Sequence, residues 1–328
     1  MLIGFIKHNR SLSVIVLPVA MICLWGYGLF HPITVNTEHA APLYKLITAG
    51  IKDYPFVITL ISFLLIFAEA LLINYIIQKN EIINTTSYLP ALVYMVLMAL
   101  QPDMFSLHPI VIASLFMLLA IHTLMQSYKK ETSYAQAFDT GFFIAMASLF
   151  YIPSVVFILL LWIGLLILRP FVWREWIISL IGFALPWVFL VFYYFWNDNL
   201  ESLQYDSLYY TLITPQKSFS SISFSYMAYA QVGVLLVASF FSFGRLMHDI
   251  RAGTVRTRSN LFLMIYFFLL AFVSIFLAPA YSIPYLSFLS APFTVFFSSY
   301  LLFVKKTWLA EILFLLLIIS VFLNQIFN

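Results

Sequence analysis

Long apolar runs separated by short polar connections dominate the chain from end to end. A membrane-crossing helix needs about 20 apolar residues to cover ~30 Å of hydrocarbon. Eleven runs fit that pattern, and three of them, 88–102, 139–152 and 154–168, are short. The pattern predicts an all-α, polytopic transmembrane protein with about eleven spans (ten to twelve). The runs lie near residues 11–30, 55–78, 88–102, 109–128, 139–152, 154–168, 176–196, 226–244, 261–278, 284–304 and 307–327.

The distribution of Lys and Arg predicts the orientation, because short loops rich in these residues stay in the cytoplasm. With eleven spans and a cytoplasmic amino terminus, 13 of the 16 basic residues lie inside and 3 lie outside. The alternative treats 139–168 as one helix kinked at Pro153. It inverts every later loop and leaves 6 basic residues inside and 10 outside. We therefore predict a hairpin at Pro153.

The composition indicates lipid, and not water, as the main surroundings of the chain. Of 328 residues, 63% are hydrophobic and 9% are charged, whereas a soluble domain carries roughly 25% charged residues. We predict one integral membrane domain, residues 1–328, in the bacterial inner membrane, with membrane lipids as partners. The basic residues are scattered through short loops and do not form a patch, which argues against nucleic acid as a partner.

Two predicted outer loops, 31–54 and 197–225, are long enough to hold structure of their own. In the first loop, apolar residues recur at helical spacing, which predicts a short helix on the membrane surface. These residues are Leu43, Leu46, Ile47 and Ile51. The second loop mixes acids, tyrosines and serines and is too polar to lie in lipid. Neither loop is large enough for an independent domain.

The motifs of common soluble enzymes, GxxxxGK[ST], GxGxxG, HExxH and GxSxG, are absent from the sequence. Carboxylates on the outer side remain, and these groups act elsewhere as general bases or as ligands of divalent ions. We predict no cofactor and leave a divalent metal open. The alternative is that the acids simply favour water at loop positions. The candidate catalytic residues are Glu38, Asp53 and Asp103, and the further outer-loop candidates are Asp198, Glu201 and Asp206.

Two ionisable residues, Glu69 and His122, lie inside apolar runs. Such groups are costly in lipid unless they are paired or hydrated, which makes them functional candidates. The two runs begin at Pro55 and Pro109, so both residues lie ~20 Å from the outer start at ~1.5 Å per residue. We therefore expect Glu69 and His122 to pair. The alternative is that each forms a separate structural bond between helices.

Three stretches carry a resemblance to a known family: QPDMFSLHPIVIASLFMLLAIHTLM, FDTGFFIAMASLFYIPSVVFILLLWIGLLILR and WREWIISLIGFALPW. They resemble an uncharacterised multipass inner-membrane family of Bacteroidota, which supplies no activity. More distantly, the layout resembles multispan glycosyltransferases that use lipid-linked sugars. Those enzymes have a cytoplasmic amino terminus and a first outer loop with a surface helix and a catalytic acid. Here Glu38 stands in that loop without the adjacent acid that such enzymes commonly carry.

The resemblance implies a protein that handles a lipid-linked glycan at the outer face. Glu38 would then be the base, Asp53 or Asp103 would assist, and loop 197–225 would cover the sugar. Two other functions stay open. In one, the chain is a non-catalytic membrane component whose outer loops bind other proteins of an envelope assembly. In the other it is a transporter with Glu69 and His122 as its polar core.

Overall fold

The described part of the chain is helical almost throughout. The computed structural model describes residues 10–32, 41–198, 200, 226–277, 287–304 and 307–327. These ranges form twelve α-helices, three short 3-10 segments and no β-strand, so the all-α prediction is confirmed. The helices are α1 (Arg10–Phe30), α2 (Pro42–Thr48), α3 (Pro55–Lys79), α4 (Leu89–Ala99), α5 (Pro109–Met125), α6 (Tyr134–Phe150), α7 (Ile158–Leu168), α8 (Trp173–Trp196), α9 (Tyr226–Ala252), α10 (Val255–Phe276), α11 (Ser290–Phe303) and α12 (Thr307–Phe327).

Every predicted span coincides with one of these helices, but their lengths differ. Five helices are long and apolar enough to cross a membrane: α3, α8, α10 and the stretches Tyr229–Ala252 and Thr307–Gln325 of α9 and α12. Five further apolar helical stretches have only 10–17 residues, and α6 has 17 residues. The length of the helices therefore supports five spans, and the remaining predicted spans are shorter elements inside the same bundle.

Proline marks the start of several helices. Pro42, Pro55, Pro90 and Pro109 each occupy the first or second position of a helix. Proline suits these positions because its ring already holds the helical φ angle and its missing N–H would have had no partner there. The sequence therefore sets where α2, α3, α4 and α5 begin.

The chain turns back at Pro153 as a hairpin. Helix α6 ends where Tyr151 adopts an extended backbone, and the 3-10 segment Ile152–Phe157 leads into α7. At the far end of α7, Arg169 Nη2 donates to the carbonyl of Glu131, just before α6 begins. The start of α6 and the end of α7 therefore lie together, which excludes one continuous helix through 139–168.

Contacts between the ends of the helices define two opposite ends of the bundle. We call one the basic end, because it gathers residues 79–81, 129–133, 169–175 and 245–258. There the Thr257 hydroxyl donates to the carbonyl of Glu81 (3.1 Å) and Asn260 Nδ2 donates to that of Asn80 (3.1 Å). At the opposite end, Gln325 Nε2 of α12 donates to the carbonyl of Leu24 in α1 (2.8 Å).

Helices α4 and α5 form a hairpin that stops short of the opposite end. The Ser62 hydroxyl of α3 donates to the carbonyl of Met104 in the connection between them (2.6 Å). Ser62 lies ~10 Å along α3 from Pro55, at ~1.5 Å per residue. The tip of the hairpin, residues 100–108, therefore lies about that far below the start of α3. Membranes tolerate such irregular backbone only where protein surrounds it.

The short helix predicted in loop 31–54 is present as α2 and covers the hairpin tip. Its Tyr44 hydroxyl donates to the carbonyl of Leu107, and both residues are 1% exposed. The predicted apolar face is divided, since Leu43 and Ile51 pack against the core, whereas Leu46 is 38% and Ile47 is 46% exposed. The bond of Tyr44 and the contacts of Leu43 and Ile51 together hold this segment against the bundle.

Two short helices form the centre of the bundle. Every residue of α4 is buried, and so is every residue of α11 from Ser290 to Leu302. The Ser290 hydroxyl donates to Met98 Sδ (3.4 Å), so α11 begins beside the end of α4. Because protein surrounds both helices, their length does not need to match the thickness of a bilayer.

Candidate functional site

A cavity of about 290 Å³ lies where α4 ends and α11 begins, between α9 and α10. Its described walls are mostly aliphatic and aromatic, with Leu235 on α9 and Phe268 and Phe272 on α10. No charged residue is among the described residues that line it. Apolar walls with a few polar groups are typical of sites that bind small molecules or lipid chains. The polar lining residues are Gln101, Gln231, Ser239, Ser287 and Ser290.

The floor of the cavity is built around the carbonyl of Leu100, directly after the last residue of α4. A helix leaves its last four carbonyls without partners within the helix. Here Asn324 Nδ2 of α12 (2.9 Å) and Gln231 Nε2 of α9 (3.4 Å) both donate to the carbonyl of Leu100. Gln231 also donates to the carbonyl of Ser320 (3.2 Å). These bonds join α4, α9 and α12 and keep the floor polar but uncharged.

One polar atom of the cavity lacks a partner. Ser287 is 5% exposed and lines the cavity, and its hydroxyl has no hydrogen-bond partner among the described residues. A buried hydroxyl without a bond costs about 1–3 kcal/mol. A ligand that presents an oxygen here would remove that cost.

A second buried polar cluster, which we call the Glu69 cluster, joins α3, α4 and α5. Glu69 of α3 is 0% exposed. The Tyr94 hydroxyl of α4 donates to Glu69 Oε2 (2.8 Å), and the Ser114 hydroxyl of α5 lies 2.6 Å from Glu69 Oε1. Ser290, which lines the cavity, donates to Met98 Sδ of that same helix α4 (3.4 Å). The sequence identified Glu69, but neither of its two partners.

The expected pair of Glu69 with His122 is wrong. Gln126 Nε2 donates to His122 Nε2 (2.7 Å), and the His122 ring lies 5.4 Å from that of Tyr75. Glu69 lies at the level of Ser114, and His122 lies ~12 Å further along α5 at ~1.5 Å per residue. The prediction assumed that α3 and α5 begin at the same depth. It failed because α5 begins deeper in the bundle than α3.

The outer acids do not form one site in the described part of the chain. Asp53, Asp103 and Asp198 are all exposed, and none of them lines the cavity. Asp198 has a positive φ of 52° after the end of α8, which marks a turn. No group of three or more His, Cys, Asp or Glu residues that could hold a metal ion occurs within the described ranges. Three candidates, Glu38, Glu201 and Asp206, lie outside the described residues.

One histidine at the hairpin tip has a structural role. The Ile110 N–H donates to His108 Nδ1 (3.3 Å), which caps the first turn of α5. The ring is therefore neutral, as an Nδ1 atom that accepts a hydrogen bond requires.

The fold and the composition define an all-helical membrane protein. The chain belongs to a family of unknown function, DUF6427, whose model matches residues 39–328. That range contains both the cavity and the Glu69 cluster. Neither the curated proteins nor the solved structures contain a match to this chain.

Proposed function

We propose that this protein is a multispan protein of the bacterial inner membrane that binds a lipid-linked glycan at the outer half of the membrane. In this proposal the apolar chain of the lipid occupies the cavity between α9 and α10. The observation that carries it is the cavity itself, which has apolar walls and the uncharged polar lining residues Gln101, Gln231 and Ser287. A charged phosphate or sugar would remain outside the cavity, where water and the polar outer loops are available.

The proposed orientation places the cavity in the outer half. Short loops rich in Lys and Arg stay in the cytoplasm, and the basic end carries such loops at residues 129–130 and 245–258. The cavity lies around the hairpin tip, towards the opposite end. A lipid in the outer leaflet then reaches the cavity from the side, between α9 and α10.

The proposal concerns binding and includes no catalytic step. Asp53 and Asp103 are exposed and do not line the cavity, and Glu38 lies outside the described residues. The distant resemblance to glycosyltransferases motivates the substrate class. Membership of an envelope assembly is compatible with the same cavity, because a non-catalytic component also holds a lipid-linked substrate for its partners.

A transporter is the second candidate function, and one observation favours it. Glu69 is fully buried and accepts a hydrogen bond from Tyr94 of α4, the helix whose end lines the cavity. Ionisable groups at such depth commonly mark proton or substrate pathways in transporters.

The test of the proposed function is to identify the lipids that the purified full-length protein retains. Leu235→Trp fills the cavity, and Val237→Trp is the matched control, because Val237 is 46% exposed on the same helix and does not line the cavity. Native mass spectrometry in mild detergent should find a polyprenyl-linked sugar or its carrier on the wild type and on Val237→Trp. Leu235→Trp should retain about tenfold less, a loss of ~1.4 kcal/mol of binding free energy.

Two results would contradict the proposal. If both tryptophan variants retain the same lipids, the cavity is not the binding site. If only ordinary phospholipid is found and Leu235→Trp loses it, the cavity binds lipid chains but the assignment of a lipid-linked glycan is wrong.

A further inference from the structure

A second cavity, of about 540 Å³, lies at the basic end, in the connection between α3 and α4. We call it the polar cavity, because one carboxylate, two amides and three hydroxyl groups line it beside a single apolar residue, Ile83. No aromatic or basic side chain is among the described residues of its lining. The polar lining residues are Gln78, Glu81, Asn84, Thr85, Thr86 and Ser87.

The connection that forms the polar cavity has a fixed shape. Gln78 Nε2 donates to the carbonyl of Ser87 (3.3 Å), and the Leu89 N–H donates to the Ser87 hydroxyl (3.2 Å). Ile82 and Ile83 are buried and anchor the middle of the connection. The polar side chains are therefore held in place before a ligand arrives, which lowers the entropic cost of binding.

Glu81 has an unusual backbone conformation for its residue type. Its φ is 52°, and it directly follows Asn80, the residue that ends α3. The Glu81 N–H donates to the carbonyl of Gln78 (3.3 Å), and the Ile82 N–H donates to that of Ile77 (3.1 Å). Glycine usually occupies this position at the end of a helix, because a side chain costs about 1–2 kcal/mol there. That cost favours a role for the Glu81 carboxylate, which lines the cavity and forms no ion pair with any described residue.

Two cations flank the polar cavity. Lys79 lies between the lining residues Gln78 and Glu81 in the sequence, and Arg256 Nη2 of α10 donates to the carbonyl of Lys79 (3.5 Å). Neither cation is in an ion pair with a carboxylate of the described residues. Arg256 Nε is buried and has no hydrogen-bond partner in the described part of the chain. An anion beside the two cations would balance their charge and accept from Arg256 Nε.

The polar cavity lies at the level of the lipid headgroups. Tyr75, one turn before Lys79, is 49% exposed, and Lys79 Nζ donates to its hydroxyl (2.9 Å). Trp173 at the start of α8, at the same end of the bundle, is 59% exposed. Exposed aromatic rings and extended lysines mark the boundary between hydrocarbon and water. The headgroup of a phospholipid can therefore reach the cavity from the side.

We propose that the polar cavity binds the phosphoethanolamine headgroup of a phospholipid. The phosphate lies beside Lys79 and Arg256, and the ammonium enters the cavity and donates to Glu81. A primary ammonium has three hydrogen atoms to donate. The Thr85 hydroxyl is available as a second acceptor, because it is buried and has no partner among the described residues.

The lining distinguishes this headgroup from two other common ones. The choline group has no N–H to donate and is recognised by aromatic rings, which the described lining lacks. The glycerol headgroup of phosphatidylglycerol carries no cation, so Glu81 would face it without a counter-charge. Ethanolamine supplies both the positive charge and the hydrogen-bond donors.

Lipid retention by the full-length protein tests this assignment. The purified protein is mixed with micelles that hold equal parts of phosphatidylethanolamine, phosphatidylcholine and phosphatidylglycerol with the same acyl chains. Native mass spectrometry then measures which lipids stay bound. The wild type should retain about tenfold more phosphatidylethanolamine than either other lipid, equivalent to ~1.4 kcal/mol of binding free energy.

Two variants remove the two halves of the site. Glu81→Gln should reduce phosphatidylethanolamine to the level of phosphatidylcholine, because the ammonium loses its carboxylate. Arg256→Gln should lower the retention of phosphatidylethanolamine by about tenfold, because the phosphate loses a cation, and it serves as the test if Glu81→Gln does not fold. Glu131→Gln and Arg251→Gln are the matched controls, since both residues are exposed at the basic end and outside the lining. Each control changes the net charge as its counterpart does and should keep the wild-type preference.

Three results would overturn the inference. Equal retention of the three lipids by the wild type would show that the cavity does not select ethanolamine. Equal losses in Glu81→Gln and Glu131→Gln would show that only the overall charge matters. Free phosphoethanolamine is a second probe, and its binding together with equal retention of the three lipids would assign the site to a soluble ligand. Leu235→Trp should keep the preference for phosphatidylethanolamine, so failure here remains distinguishable from failure of the proposed function.

Discussion

Arg169 Nη1 and Glu175 Oε1 lie 3.0 Å apart, and each side chain is at most 3% exposed. The pair does more than join two charges. Arg169 also donates to the carbonyl of Glu131 (3.1 Å), and the Ser133 N–H donates to Glu175 Oε1 (3.2 Å). One ion pair therefore ties together the start of α6, the end of α7 and the start of α8.

Removing one partner of this pair should destabilise the protein strongly. Breaking a buried pair typically costs ~3–5 kcal/mol, because the remaining charge stays buried without a partner. We expect Arg169→Met and Glu175→Gln each to lower the Tm of the purified protein, and the double variant to lose less than the sum. Arg174→Met is the control, since Arg174 is exposed. Additive losses would contradict a direct coupling.

A close crossing of α6 and α8 depends on two glycines. A Cβ atom at Gly182 would lie 2.3 Å from the carbonyl oxygen of Phe138, and one at Gly141 would lie 2.2 Å from that of Ser179. The backbones would have to separate to admit a methyl group. Small residues allow this kind of close approach between helices in membranes.

Gly182→Ala should therefore destabilise the protein by about 1–3 kcal/mol, the usual cost of overpacking. Gly233→Ala is a matched control on α9, because a Cβ there would meet nothing within 4 Å. That change should be neutral or stabilise by about 0.5–1 kcal/mol, since alanine favours the helix. The measurement is the Tm of both variants in the same detergent. Equal shifts would show that the crossing tolerates a methyl group.

The orientation can be tested by cysteine labelling of intact cells. The native Cys23 is exposed and would first be replaced by serine. A membrane-impermeant thiol reagent added outside should modify Lys52→Cys and Ser218→Cys and spare Val255→Cys, because the basic end is expected in the cytoplasm. Permeabilised cells should show labelling at all three positions. Labelling of Val255→Cys alone from outside would invert the topology.

Tyr44→Phe should loosen the cover over the hairpin tip. The change removes the hydroxyl that donates to the carbonyl of Leu107 and leaves a buried acceptor without its partner. We expect a loss of about 1–3 kcal/mol, seen as a lower Tm. Tyr54→Phe is the control, because Tyr54 is 64% exposed. If both phenylalanine variants have the wild-type Tm, α2 does not depend on this bond.

Several features of the fold could be read from local sequence. Apolar runs identified the helices, and prolines such as Pro55 and Pro109 marked where they begin. The short helix in loop 31–54 was also visible as a periodic pattern, and Leu43 and Ile51 of that pattern do pack against the core. Tyr44 is more deeply buried, and one tyrosine in a mixed sequence has no local signature of burial.

The functional groups were only partly predictable. Glu69 stood out because an acid in an apolar run is rare. Its partners did not, because a tyrosine in α4 and a serine in α5 are ordinary residues until the helices are packed together. The cavity had no signal in the sequence, since its floor joins Leu100, Gln231 and Asn324, which are far apart along the chain.

The sequence by itself determined an all-helical membrane protein, and the tertiary structure decided which of its polar groups meet. Lipid offers no hydrogen-bond partner to the backbone N–H and C=O groups, so each apolar segment must form its own helix. That requirement is local and is visible in the composition. The depth of a residue in the bundle and the neighbour that its side chain faces are not local properties. They depend on where each helix begins relative to its neighbours, and α5 begins deep enough to bring Ser114, and not His122, beside Glu69.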